Sequence, residues 1–539
     1  MRLYLDTFAG MIPAIHPSKL PVSHAADCSA CFFDRGVLLP MREPSSVVVK
    51  NGLSDPVLGM HRTAGGTWQT YGVPISVCRS PVIDNEHYLL TGTGLAPRQF
   101  DQDEAEAGTY RPLGLPYPPD APDIEVTGTG NGTVDVSVSY VYTYVTDQGE
   151  ESASSYPTAV VEVEEGQSVL LTGLSKSTVP SASHVQKYRI YRLQSGSAGA
   201  VYDYLGETST ANNSFTDSDP GSDLNGDVLQ TEAWIAPPSA MQGIISYGQG
   251  TYAGYTDKDV WLSEVFIPYA YPSGYSRSVN APVVGLAPVS GGFYALTTDK
   301  PVLFTGSDPG TILQQELNLE YACVSARSIA SNDAGVIYAT ERGLVFLGPT
   351  GADTLLTEKL YTEEQWGDLF TDHTNIIGAM YAGDYVFCEQ GGTTIYTLDI
   401  SAGAIVPYTL EKPVTAMWYD GYTSMLYLAL QTTSTQTTIY SWQTGDASEY
   451  TWKSRQIDIP QGVCFSCAKV LGEQSVASPI TLHITGDGVT NWLGTKSLTT
   501  EDMFRLPSGR YRQLEITLAG SAALQSVILA TSPGELNGN

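Results

Sequence analysis

Two Cys-x-x-Cys pairs, Cys28/Cys31 and Cys464/Cys467, are the residues whose type and spacing best suit chemistry. Four thiolates so paired can hold a tetrahedral zinc ion. The pairs lie at opposite ends of the sequence, however, and each sits in a strand-like context. Residues three apart on an extended strand face opposite sides, which is wrong for chelation, so buried free thiols are expected. No βαβ pattern of the thioredoxin kind surrounds either pair, which argues against redox chemistry. A second cluster alternates oxygen donors at Asp217, Asp219, Asp223, Asn225 and Asp227, with Gly226 to allow a sharp turn, as a Ca²⁺ loop would. It lacks the closing Glu of an EF-hand, and a polar Asx-turn linker explains it more simply. Neither cluster is assigned as a metal site, and no cofactor is expected.

Other chemistry has no anchor. The chain has no Gly-rich phosphate loop ending in Lys-Ser/Thr, no His-Glu-x-x-His and no Gly-x-Ser-x-Gly. The histidines at 16, 24, 61, 87, 184, 373 and 483 are scattered, and His483 lies in an alternating strand where a structural role is expected. The many acids offer pairs of the glycosidase type, but no spacing singles one out. The chain is therefore expected not to be an enzyme.

The elements that would carry any site are strands. Five stretches between Ile244 and Trp442 repeat one plan: a short apolar strand, a Gly/Asp/Ser turn, a Tyr-rich strand, a second turn and another apolar strand. Gly335 to Gly348 and Gly383 to Leu398 are the clearest copies. The leading strands begin near Ile244, Val283, Ser328, Ile376 and Val414, at the spacing of roughly 40–50 residues that β-propeller blades show. Five blades are clear, and the strands around Trp68 to Gly94 are expected to supply a sixth that closes the ring.

Composition agrees with an all-β chain. Hydrophobic residues are 42% and charged residues 16%, which gives a sizeable core, and the 33 Tyr, 53 Gly and 32 Pro favour strands and tight turns. A net charge of −30, from 57 acidic and 27 basic residues, leaves no counter-charge for phosphates, so ordinary nucleic-acid binding is not expected. Asp6 interrupts the apolar run of Met1 to Pro13, so this start is not expected to act as a signal peptide, and no stretch approaches a membrane span. An odd count of seven cysteines argues against a disulfide framework.

Four regions follow. Residues 1–117 hold an amino-terminal arm, strands and a short acidic loop at Asp101 to Glu106. Residues 118–234, after the Tyr117-Pro-Pro-Asp-Ala-Pro122 linker, read as a β-sandwich of the fibronectin type III kind, with Val134 to Val145 as one long strand buried on one face. Residues 235–452 are the blades, and 453–539 form a β-sandwich-like end. One helix is expected, capped by Thr362 with Gln365 three residues later, burying Trp366, Leu369 and Phe370.

In the same order along the chain, several segments resemble tail nozzle (tail tube) proteins of short-tailed bacteriophages. They are Leu20 to Pro44, Tyr188 to Arg192 with Phe215 to Asp219, Ser325 to Ile329 through Gly343-Leu-Val345, Glu363 to Trp366, Phe504 to Pro507 and Leu529 to Leu536. The resemblance implies a structural virion protein, assembled in the host cytoplasm into a ring expected to be hexameric. Its implied partners are copies of itself, a portal-side adaptor ring and tail fibres or spikes, with DNA passing transiently through an acidic conduit. The arm Phe8 to Leu20 and the Tyr-rich Phe266 to Tyr275 are then candidate subunit contacts. The competing readings are a glycan- or receptor-binding propeller using Trp261, Trp418, Tyr419 and Trp442, and a propeller-type glycoside hydrolase.

Overall fold

The computed structural model describes residues 1–80, 86–196, 199–248, 250–460, 463–487 and 490–536. It is nearly all β, with only two short α-helices among the described residues, Gln102–Ala107 and Glu363–Leu369. No helix there is long and apolar enough to cross a membrane.

The body of the fold is a series of antiparallel four-stranded meanders. They span 75–112, 242–278, 283–316, 330–355 and 376–409, and a last one, 414–441, has three strands of its own. Its fourth strand comes from far upstream: Ser45–Asn51 pairs along Gln436–Ser441. A separate hairpin joins Gly59–Arg62 to Trp68–Tyr71. The leading strands Ile75–Ser80, Gln242–Tyr247, Val283–Val289, Ala330–Asn332, Ile376–Tyr381 and Val414–Asp420 touch in that order. Gly59–Arg62 touches both the last of these and the first, so the series returns on itself around a centre. The arrangement is propeller-like.

Three second strands, His87–Gly92, Gly292–Thr297 and Gly335–Thr340, are buried at every position, and the others along their middles, because neighbouring sheets cover both faces. Such strands read as continuous apolar runs rather than alternating ones. Several buried tyrosines between sheets spend their hydroxyls on a neighbour's backbone. Tyr294 donates to Gly348 O (2.5 Å), Tyr338 to Tyr321 O (2.9 Å) and Tyr385 to Ser328 O (2.6 Å). A buried ring thereby adds apolar area without leaving a polar atom unpaired.

Residues 123–217 form a sandwich between the 75–112 and 242–278 sheets in the chain, around a core of Val138, Tyr140, Tyr142, Tyr144, Val169, Leu171 and Ile190. The single long strand expected over Val134 to Val145 is two strands. Val134–Val138 pairs with Val161–Glu164, and Tyr140–Thr146 pairs with Val185–Gly196. The break falls at Ser139, whose hydroxyl donates to Thr158 O. Tyr140–Thr146 is buried at all seven positions, not on one face, because Tyr191 and Leu229 pack with Val141 on the second face and an irregular segment covers its free edge. Ser152, Ser155 and Thr158 each donate a backbone N–H to Tyr144, Tyr142 and Tyr140, and each accepts that tyrosine's N–H on its side-chain oxygen.

The carboxyl-terminal region does not stand alone. One of its sheets contains Arg2–Leu5, Cys31–Asp34 and Val37–Pro40 beside Cys467–Gly472 and Leu524–Ala530. The other runs through Ala9–Met11 and His24–Ser29 into the 376–409 meander, giving one eleven-stranded sheet. The Met1 amino group pairs with Glu535 at 2.6 Å.

Two further expectations change. Asp101 to Glu106 is not a loop: Asp101 caps a helical turn and Glu104 returns the bond, a reciprocal capping box. The amino-terminal meander is 75–112, displaced from Trp68 to Gly94, and Trp68 belongs to the hairpin (residues 81–85 of that stretch lie outside the described residues). The expected helix is present as Glu363–Leu369, with its Thr362/Gln365 capping box and Trp366 buried.

Candidate functional site: the central cavity

Leading strands carry glycine where they converge. A Cβ on Gly285 would meet Ile329 Cδ1 at 2.4 Å, and one on Gly378 would meet Tyr385 Oη at 2.3 Å. A neighbour's side chain thus fills the place of each missing Cβ, beside a cavity of about 620 Å³, within the range of small-molecule sites. Met60, Ile75, Leu286, Ile377, Met417 and Trp418 give it an apolar wall, with Ser76, Thr93, Gln242, Ser331 and Asn332 as neutral polar points.

Among the residues lining the cavity only one is charged, Arg327. It sits on the 3₁₀ turn Ala326–Ser328. Its Nη1 donates to Gln390 Oε1 at 2.6 Å and its Nη2 to Thr415 O at 2.7 Å. Thr415 is the second residue of the leading strand Val414–Asp420, and Gln390 follows Glu389, which pairs with Ile376 at the start of Ile376–Tyr381. Arg327 thus ties three sheets together at the end of the cavity where two leading strands begin. No carboxylate forms an ion pair with it among the described residues. Burial lowers the guanidinium to about 10. The titratable neighbour acting on it is the Cys388 thiol, which burial pushes up to about 12 and keeps neutral.

The aromatic side of the cavity continues outward. Trp418 stacks on Tyr427 (5.9 Å) and meets His61 edge-on (5.2 Å) and Trp68 (5.9 Å). Burial pushes His61 down to about 4 despite Asp420 nearby, so this imidazole is neutral at ordinary pH. Of the four aromatics considered for a glycan surface, Trp418 and Tyr419 line the cavity. Trp442 is fully buried, and the Trp261 indole donates to Thr256 Oγ1 at 2.8 Å.

All seven cysteines are free thiols. Cys28 and Cys31 do not face opposite sides, because Ala30 between them takes a left-handed φ of 52° and turns the chain. Both are buried in the same core, with Cys31 Sγ within reach of Ser29 O (3.3 Å) and Thr451 O (3.2 Å). Burial first, then contact with Cys28, holds the Cys31 thiol well above its ordinary range. Cys467 packs elsewhere, with Ile528, Ala530 and Leu536, and Cys464 Sγ accepts from Gly509 N at 3.5 Å. Among the described residues no three His, Cys, Asp or Glu side chains gather as a metal site.

The acidic cluster is organised by an arginine. Asp217 and Arg192 form a buried ion pair at 2.8 Å, and Tyr140 Oη donates to the same carboxylate at 2.8 Å. Arg192 also donates to the carbonyls of Asp219 (3.1 Å) and Ser222. The guanidinium occupies the oxygens that a calcium ion would need, while Asp223, Asn225 and Asp227 are exposed. Sequence spacing could not reveal this, since Arg192 lies on a different strand.

Both segments considered for subunit contacts make contacts within this chain. Phe8 packs edge-on against Trp452 (4.9 Å), Ala9–Met11 enters the eleven-stranded sheet, and Pro13 O accepts from Gln365. Tyr269 packs on Trp234 and its hydroxyl accepts from Glu151 N, fastening the sandwich to the 242–278 sheet, while Phe266 is exposed.

No protein-family model matches the chain, and no curated protein matches it in sequence. Solved structures similar to it include BBS1N in complex with ARL6DN, with 9% identity over 75% of this chain and 98% of that one, at a TM-score of 0.32. The AfRom2 CNH domain has 9% identity over 74% and 98%, at 0.32. Raptor from Chaetomium thermophilum has 8% identity over 76% and 29%, also at 0.32.

Proposed function

We propose that the chain is a structural ring subunit of a short-tailed phage tail, a nozzle through which DNA leaves and on which fibres or spikes sit. The observation that carries this reading is the ordered series of nozzle-like segments from Leu20 to Leu536. Their positions support it, since each serves to hold a part of the molecule together or to join it to another. Cys31–Asp34 and Val37–Pro40 build the terminal sandwich, Arg192 and Asp217 lock the inserted one, and Ser325–Ser328 spans three sheets. In this reading the inserted sandwich is of the fibronectin type III kind, and the propeller has seven blades where five with a sixth were expected: six four-stranded units and the hairpin 59–71.

The function needs no covalent step and no cofactor. A surface of net charge −30 lets a polyanion pass without adhering. The DNA path would be the channel of the assembled ring, not the cavity of each propeller. Electron microscopy of the purified protein with its adaptor ring tests the proposal: closed rings around a DNA-wide channel are expected. A protein that stays monomeric on that ring removes the reading.

A further inference from the structure

We propose that the central cavity binds a small organic monocarboxylate, its carboxylate on the Arg327 guanidinium and its apolar body against Leu286, Met417 and Trp418. This stands apart from the ring-subunit reading and does not depend on it.

The argument begins with charge. The chain has 57 acidic residues, yet among the described residues none lines this cavity, and one cation does. A partly buried guanidinium is costly unless a counter-charge or full hydrogen bonding offsets desolvation. Among the described residues Arg327 has only neutral hydrogen-bond partners, Gln390 Oε1 and Thr415 O. Those two bonds leave other N–H groups of a five-donor fork unused. They also fix the plane of the fork, which is the preorganisation that carboxylate recognition requires.

Ligand class follows from the rest of the wall. One guanidinium balances one negative charge, and no second cation lines the cavity to hold a phosphate dianion or a nucleotide. The acidic surface disfavours multivalent anions further. Beyond Arg327 the wall mixes thioether, aliphatic and indole groups with neutral polar ones, and its apolar stretch suits a short hydrocarbon chain or ring. The competing role for Arg327 is purely structural, as a pin between three sheets.

Isothermal titration of the full-length protein with sodium hexanoate, at constant ionic strength, separates the two. Hexanamide serves as the neutral control. Saturable binding of hexanoate but not hexanamide is expected, weakened at least about tenfold in Arg327→Gln, which corresponds to about 1.4 kcal/mol. Should Arg327→Gln misfold, Ser331→Glu leaves both Arg327 bonds in place and adds a carboxylate to the lining, and it is expected to weaken binding as well. No saturable heat with hexanoate up to about 10 mM, equal binding of hexanamide, or hexanoate binding unchanged in both variants would overturn the proposal.

Discussion

Replacing Arg192 by Met should open the inserted sandwich from within. The side chain is 2% exposed and its Asp217 partner 3%, so the pair lies out of water. Removing one partner of a buried ion pair typically costs about 3–5 kcal/mol, because the other charge stays buried and uncompensated. Here Asp217 would keep two bonds, from Tyr140 Oη and from the Asp219 backbone N–H, while the carbonyls of Asp219 and Ser222 would lose a donor. The lower part of that range is therefore expected. The chain has several cooperative parts, so the reading should be local: native-state hydrogen exchange of the amides in Tyr140–Thr146, which report opening of that sheet. A loss of about 3 kcal/mol accelerates their exchange by about two orders of magnitude. Adding Asp217→Asn should recover much of the loss, because the amide oxygen still accepts from Tyr140 and carries no charge. Calcium or a chelator should leave exchange of the unaltered protein unchanged. Acceleration below about tenfold (1.4 kcal/mol) in Arg192→Met, or protection by calcium, would refute the view that the guanidinium organises this loop.

Three further outcomes are expected. Gly378→Ala places a methyl 2.3 Å from Tyr385 Oη, which is held by Ser328 O, so overpacking should cost about 1–3 kcal/mol in thermal or urea unfolding. Trp366→Ala removes a buried indole bonded to Thr340 O and should cost about 3–5 kcal/mol by the same assay. Docking of the sandwich on the 75–112 sheet should weaken as pH rises. There Glu150 accepts from Gln99, with Arg111, Asp147 and Glu104 nearby, and burial raises it to about 7. A carboxyl raised above its unfolded value favours the neutral form, so its contribution is complete below about pH 4.5 and lost as pH passes 7. Proteolysis of the linker 118–122 between pH 5 and 8 reads this, and Glu150→Gln should flatten the dependence.

Local periodicity made the repeats legible. Leading strands expected near Ile244, Val283, Ile376 and Val414 begin at Gln242, Val283, Ile376 and Val414, because an apolar run followed by a Gly/Asp turn is a short-range signal. The strand expected near Ser328 begins at Ala330, since Ala326–Ser328 is taken up by the 3₁₀ turn that carries Arg327. What failed was non-local. Nothing in Ser45–Asn51 announces a partner at Gln436–Ser441, and nothing near Asp217 announces Arg192. The Cys28/Cys31 geometry turned on one left-handed residue, Ala30, which sequence does not mark as a glycine would have. The cavity had a faint signal, glycine early in the leading strands at Gly243, Gly285 and Gly378, where a large side chain packs against the backbone.

Closure explains why the ends of the chain are so deeply interleaved. A ring of sheets whose last member lacks an outer strand exposes a row of unpaired backbone groups, an invitation to aggregation. Ser45–Asn51 covers that edge, and the segment before it, Ala9–Pro40, is anchored in both sheets of the terminal sandwich. Pairing across so much intervening chain is entropically slow to form, but once made it joins the two chain ends into one core. Phe8, Cys28, Leu38, Trp442, Trp452 and Leu524 share that core. The ring and the terminal sandwich are therefore one mechanical unit, held at the 376–409 and 414–441 sheets, whereas the inserted sandwich is tied to the ring through a small polar contact at Gln99, Arg111 and Tyr269. A load applied along the molecule should move the inserted sandwich before it opens the ring.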